Sequence, residues 1–86
     1  VEHVIDVSDL EPPEPLERIL DALADLPEGD YLRVLHHREP VPLYRMLQAM
    51  RYRWFTRESG EAGYEIFIWE AGLEPPDPVR GLVQFH

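Results

Sequence analysis

His36 and His37 stand side by side with Glu39 close behind, and imidazole with carboxylate is a common donor set for zinc or iron. Neighbouring residues of a strand point to opposite faces, so the two rings are not expected to share one ion. A mononuclear site wants about three or four convergent ligands. The chain offers His37, Glu39 and an unplaced acid such as Asp6 or Glu14, and no metal site is assigned. Glu11, Glu14 and Glu17 recur at the spacing of a helical turn. Paired carboxylates can divide acid and base roles in an apolar cleft, but no nucleophile signal accompanies these three, and they read as a solvated acidic face. Neither a glycine-rich phosphate loop nor a serine–histidine–acid set stands out. His37 is the residue best suited to act as a base, and no catalytic residue is assigned.

The stretch LEPPEPLERIL, residues 10 to 20, opens a helix with three prolines. A helix start ordinarily presents free backbone N–H groups and the positive end of the dipole, which bind anions or acidify a thiol. Pro12, Pro13 and Pro15 delete such donors, and Glu14 and Glu17 supply negative charge from within the chain. An external anion therefore meets few donors and some repulsion. Two readings of the prolines follow: they preset φ and start the helix, or they form a rigid corner for docking.

Composition narrows the classes further. The chain has 86 residues, 44% of them hydrophobic, which suits one small globular domain with a thin core. Seventeen acidic residues against eight basic ones leave a net charge of −9, a field that repels nucleic acid and anionic membrane surfaces. All the basic residues are arginine, so Schiff-base chemistry is excluded. The absence of cysteine excludes disulfides, zinc–thiolate sites and thiol catalysis. No stretch approaches the length of a membrane span and no leader pattern opens the chain, so a cytoplasmic location is expected. No cofactor is assigned.

The elements that must position these residues follow from periodicity. His3 to Val7 is β-branched and reads as a first strand. Leu16, Ile19, Leu20 and Leu23 mark an amphipathic helix that stops near Leu26, before Pro27. Tyr31 to His37 is a second strand, with Leu32, Val34 and His36 on one face and Tyr31, Arg33, Leu35 and His37 on the other. A second helix begins at about Pro42, with Leu43, Met46, Leu47 and Met50 as its apolar stripe and Tyr44 off it. Tyr52 to Glu58 and Tyr64 to Glu70 form an antiparallel hairpin about a turn at Ser59 to Gly63. The order β-α-β-α-β-β predicts an α+β fold, a two-layer sandwich with both helices on one face of a four-stranded mixed sheet. Residues 1–70 make the domain; residues 71–86 form a C-terminal tail whose Val79, Leu82, Val83 and Phe85 are able to dock on the open sheet face.

The segment from Asp6 to Leu16 resembles the opening of TusA/SirA-like sulfur-carrier domains, which place an aspartate, a Gly-Leu pair and Cys-Pro-x-Pro at the start of their first helix. Those domains share the βαβαββ order. The resemblance puts Pro12 where their cysteine carries the persulfide, and Asp9 where their glycine sits. A fuller resemblance is to an uncharacterised bacterial domain family allied to those carriers, through Pro-Pro-Glu-Pro-Leu-Glu, His37 to Tyr44 and Tyr52-Arg53-Trp54, over roughly residues 4 to 70. Relatives place glycine where this chain has Arg51, so the turn before Tyr52 is expected to be strained or reshaped. The resemblance implies a TusA-like fold and, from the hemerythrin-like domains and nitrogen-oxide metabolism found beside such relatives, a redox-linked or metal-linked accessory role. It does not carry over sulfur transfer, because proline has no atom to hold a sulfane sulfur.

Two candidate sites result. One is a shallow pocket near the first helix start, built from Pro13, Glu14, His37, Tyr44 and Trp54; the alternative is that His37 caps loop backbone and Trp54 packs in the core. The other is the sheet face away from the helices, where Tyr31, Arg33, Leu35, Phe55, Phe67 and Trp69 make an aromatic patch interleaved with arginines. Such a patch marks a partner surface or is covered by the chain's own tail or a second copy. The expected role is a non-enzymatic accessory or protein-interaction domain, with an unknown protein partner or a homodimer, no nucleic acid and no membrane. The rival is a small-molecule or metal-binding, redox-linked domain using the pocket.

Overall fold

A computed structural model describes residues 1–60 and 63–82. β1 (Glu2–Asp6), α1 (Glu14–Ala24), β2 (Tyr31–His36), α2 (Val41–Ala49), β3 (Tyr52–Ser59) and β4 (Gly63–Glu70) follow in the expected order, and α3 (Asp77–Arg80) adds a short helix. The sheet runs β1-β2-β4-β3. β1 and β2 are parallel, and β4 is antiparallel to both of its neighbours. A parallel pair needs a crossover, which α1 supplies. The hairpin then places β4 between β2 and β3, so the most apolar strand occupies the centre.

Alternation along the strands sends Leu32, Val34, Ile66 and Ile68 to one face, where they are buried with Ile19 and Leu23 of α1 and Leu43 and Leu47 of α2. Both longer helices therefore cover the same side of a mixed sheet. The other side carries a smaller cluster in which Phe67 and Trp69 of β4 are buried with Val79 of α3, flanked by Tyr31 and Phe55. Asp77 sits in the first turn of α3, a proline occupies N1 or N2, and Arg80 closes the last turn, a charge order that suits the helix dipole. Leu82, also expected to dock, is instead exposed, because the chain turns back to solvent after α3; Val83 and Phe85 lie outside the described residues.

At the helix ends two details agree with the sequence expectation, while the buried face of α2 differs from it. α1 begins at Glu14, inside the proline stretch expected to open it, where Pro15 fits the first turn and is itself buried. α2 buries Leu43 and Leu47 and holds Tyr44 against the core, while Met46 and Met50 are exposed. That helix packs beside β3 at the sheet edge, and the rotation brings the Tyr44 ring onto Trp54, with centroids 5.1 Å apart and planes 8° from parallel. At the end of α2, Arg51 has φ 65, a left-handed conformation that glycine adopts at no cost and that makes this the strained turn expected before Tyr52. The Arg51 carbonyl accepts the Ala71 N–H at 2.9 Å, which fixes the turn against the end of β4.

Candidate functional site

The parallel strands β1 and β2 end side by side, and the loops that leave them enter α1 and α2. Between the two helix starts lies a cleft of about 380 Å³. The α1 entry contributes Pro12, Pro13 and Pro15 with Leu16 and Ile19, and the α2 entry contributes Pro40, Pro42 and Leu43. His36 closes the end of β2, and Arg38 and Glu39 follow on the connecting loop. Both walls are thus built from the residues that start the helices, and those residues hold their own backbone. Glu14 N–H donates to the Glu11 carbonyl, and the Val41 and Leu43 N–H groups donate to the carbonyls of Glu39 and Pro40, each at 2.9 Å. Crevices beyond the carboxyl ends of parallel strands are the usual ligand positions of sheets with helical crossovers.

His36 is the polar group set deepest in this wall. It extends the inward-facing row of Leu32 and Val34 and is 7% exposed. The Arg38 backbone N–H donates to its Nδ1 at 3.1 Å. Burial depresses the imidazole pKa below its ordinary value, and the neighbouring His37 and Arg38 push the same way. A neutral ring whose Nδ1 accepts must carry its proton on Nε2. Gly63 makes this placement possible: a Cβ there would meet the backbone oxygens of His36 and His37 at 3.0 Å each, and its φ is 96.

The residues expected of a single pocket divide between two places. Pro13 lines the cleft, whereas Glu14 is exposed on the first turn of α1 and lies outside the lining. His37 falls beyond β2, so strand alternation no longer governs it; it is exposed, and its ring lies 5.3 Å from that of His36. Tyr44 and Trp54 stack at the sheet edge instead. The Tyr44 hydroxyl shares a 2.6 Å hydrogen bond with Thr56 Oγ1 and donates to Glu39 Oε2 at 3.1 Å. Burial pushes its pKa up to about 12, so it remains a protonated donor. Glu39 is what joins the aromatic stack to the cleft. Among the described residues no group of three or more histidine, aspartate or glutamate side chains is arranged to hold a metal ion.

On the other face the arginines and aromatics interleave as the strand pattern requires. Arg33 and Phe55 both register against Phe67, and Leu35 and Arg57 against Glu65. Glu65 is 2% exposed. One of its carboxylate oxygens receives Arg57 Nε at 2.6 Å, and the other receives both Nε and a terminal nitrogen of Arg33. Burial works to raise this carboxyl's pKa, but the hydrogen bonds from Arg57 and Arg33 outweigh it and hold the group below its ordinary range. The guanidinium groups of Arg33 and Arg57 lie 5.9 and 5.4 Å, respectively, from the Phe67 ring centre. Phe67 and Trp69 are therefore covered by arginines and by α3, while Tyr31, Leu35 and Phe55 are half-buried. Burial also raises the Tyr31 hydroxyl to about 12, and that hydroxyl donates to Glu2 at 2.8 Å.

Arg38, Pro40 and Pro42 were not singled out as lining residues by sequence reasoning, and the histidine of interest is His36 rather than His37. The signal for His36 was present: it continues the alternating row of buried aliphatic side chains, where an imidazole is out of place unless it has a task. The convergence of two proline-rich loops on one cleft had no local signal, since it depends on β1 and β2 ending together. Residues 4–70 match the model of a family described as "Uncharacterized conserved protein (DUF2249)". No curated protein and no solved structure matches the chain.

Proposed function

Because the chain belongs to the DUF2249 family, whose description assigns no activity, we propose from the geometry that it is a non-enzymatic accessory domain that acts by reversible binding in the proline-walled cleft. The observation that carries this reading is the composition of that wall. Five prolines and three aliphatic side chains surround one buried imidazole, with Arg38 and Glu39 at the loop. Such a surface excludes water from a ligand and orients it through few polar contacts, which is the usual economy of a small-molecule site. Proline brings neither a nucleophile nor an N–H group to a reacting atom.

The β1-β2-β4-β3 order with its βαβαββ connectivity supports a kinship with TusA-like sulfur carriers. On that reading Pro12 takes the carrier cysteine's place at the mouth of the cleft, and the domain keeps the position of the site while giving up covalent transfer. Mass spectrometry of the protein isolated from its source tests the proposal. An added mass retained under native conditions and lost on denaturation is the expected result. An adduct that persists on the denatured chain contradicts it.

A further inference from the structure

We infer that the cleft takes a neutral, largely apolar molecule of one or two rings that carries a hydrogen-bond acceptor, and that the His36 Nε2–H is the group that receives it. This rests on the cleft being the binding site. His36 is more than nine-tenths buried and lines the cleft. Its Nδ1 is committed to the Arg38 amide at 3.1 Å, and among the described residues no protein group accepts from Nε2. Among the described residues the side-chain nitrogen sealed away without a partner is Trp69 Nε1; His36 Nε2 instead stays within reach of the cleft, and a donor on the wall of an open cleft is matched by whatever enters it.

The remaining lining selects the rest of the ligand. Arg38 and Glu39 carry opposite charges at the same loop, so the mouth has no net preference for an ion. The three prolines at the α1 entry remove N–H groups that a phosphate or sulfate would need, and the net charge of −9 repels anions at longer range. A cation would face the donor end of His36. Pro12, Pro13, Pro40 and Pro42 present rigid C–H surfaces that match the electron-rich face of a flat ring. The volume of about 380 Å³ stands near the lower end of the ~300–1,000 Å³ usual for ligand pockets, which limits the ring count.

Two probes of similar shape separate the parts of this argument: acetophenone, whose carbonyl accepts a hydrogen bond, and cumene, which has no acceptor. Each is titrated into the full chain while backbone amides and the imidazole nitrogens are followed by NMR. The expected result is that acetophenone moves the amides around the cleft together with the His36 Nε2 resonance. His36→Phe should then weaken acetophenone by roughly threefold to tenfold, the loss of one ordinary hydrogen bond, and leave cumene unchanged. Cleft amides that move with both probes while His36 Nε2 stays still would overturn the role of His36 and spare the cleft. No movement with either probe at millimolar concentration would overturn both. If His36→Phe does not fold, the comparison of the two probes on the natural chain decides the matter alone.

Discussion

Glu65→Gln probes the one carboxylate that the fold buries among the described residues. The substitution keeps the side chain's shape and one carbonyl oxygen but removes the charge held between Arg33 and Arg57. Hydrogen bonds to a charged group each contribute about 1.5–3 kcal/mol, and removing one partner of a fully buried ion pair costs about 3–5 kcal/mol. Arg33 and Arg57 are 34% and 41% exposed, so each regains hydration when the carboxylate is lost, and the net cost falls to about 2 kcal/mol. Urea denaturation at neutral pH measures it, with an unchanged m-value confirming that the folded state is intact. The pH dependence gives the sharper test. The folded-state pKa of Glu65 lies below its ordinary value of 4.5, so the folded chain binds fewer protons than the unfolded one across that interval. The stabilisation is complete above about pH 4.5 and is lost as the pH falls through the folded pKa. The gap between natural and Glu65→Gln proteins should therefore narrow on acidification below that point. A gap under about 0.5 kcal/mol at pH 7, the range of ordinary surface substitutions, or one that stays constant down to the acid transition, would refute the reasoning.

Four further outcomes follow from the same geometry. Gly63→Ala forces a Cβ against the backbone of His36 and His37 at φ 96; it should cost at least about 2 kcal/mol and shift the His36 imidazole resonances. Arg51→Gly relieves the left-handed conformation at φ 65 and should raise stability by about 0.5–1 kcal/mol, read as a higher urea midpoint. Val79→Ala opens a gap over Phe67 and Trp69; a loss of about 1–2 kcal/mol is expected, and a loss near zero would mean that α3 adds nothing to the cover. His36 should titrate below 6.5 by NMR, and its neutral form should add stability that is full above that value and declines as the pH falls toward the folded pKa, a decline that His36→Gln removes.

Much of the architecture was legible because each element declares its period. The Leu16–Leu23 stripe and the alternation of Leu32, Val34 and His36 assign both α1 and the inner face of β2, and the Phe67 and Trp69 positions follow from the same alternation in β4. Met46 and Met50 misled because an apolar stripe reports which face of a helix can be buried, while the sheet edge decides which face is. The site was harder to read. Pro13 could be placed at a helix start, but its meeting with Pro40 and Pro42 depends on the shared end of two parallel strands, which no local pattern records. The open face illustrates a second limit: its aromatics point where alternation sends them, yet Phe67 is buried because Arg33, Arg57 and Val79 cover it.

The most direct test of reversible binding at the two helix starts is a solvent-mapping NMR experiment in which small apolar alcohols and aromatics are added to the full chain in turn. The account predicts shifts that converge on Leu16, Ile19, His36, Arg38 and Leu43. Shifts that gather around Tyr31 and Phe55, or that spread evenly over the surface, would contradict it.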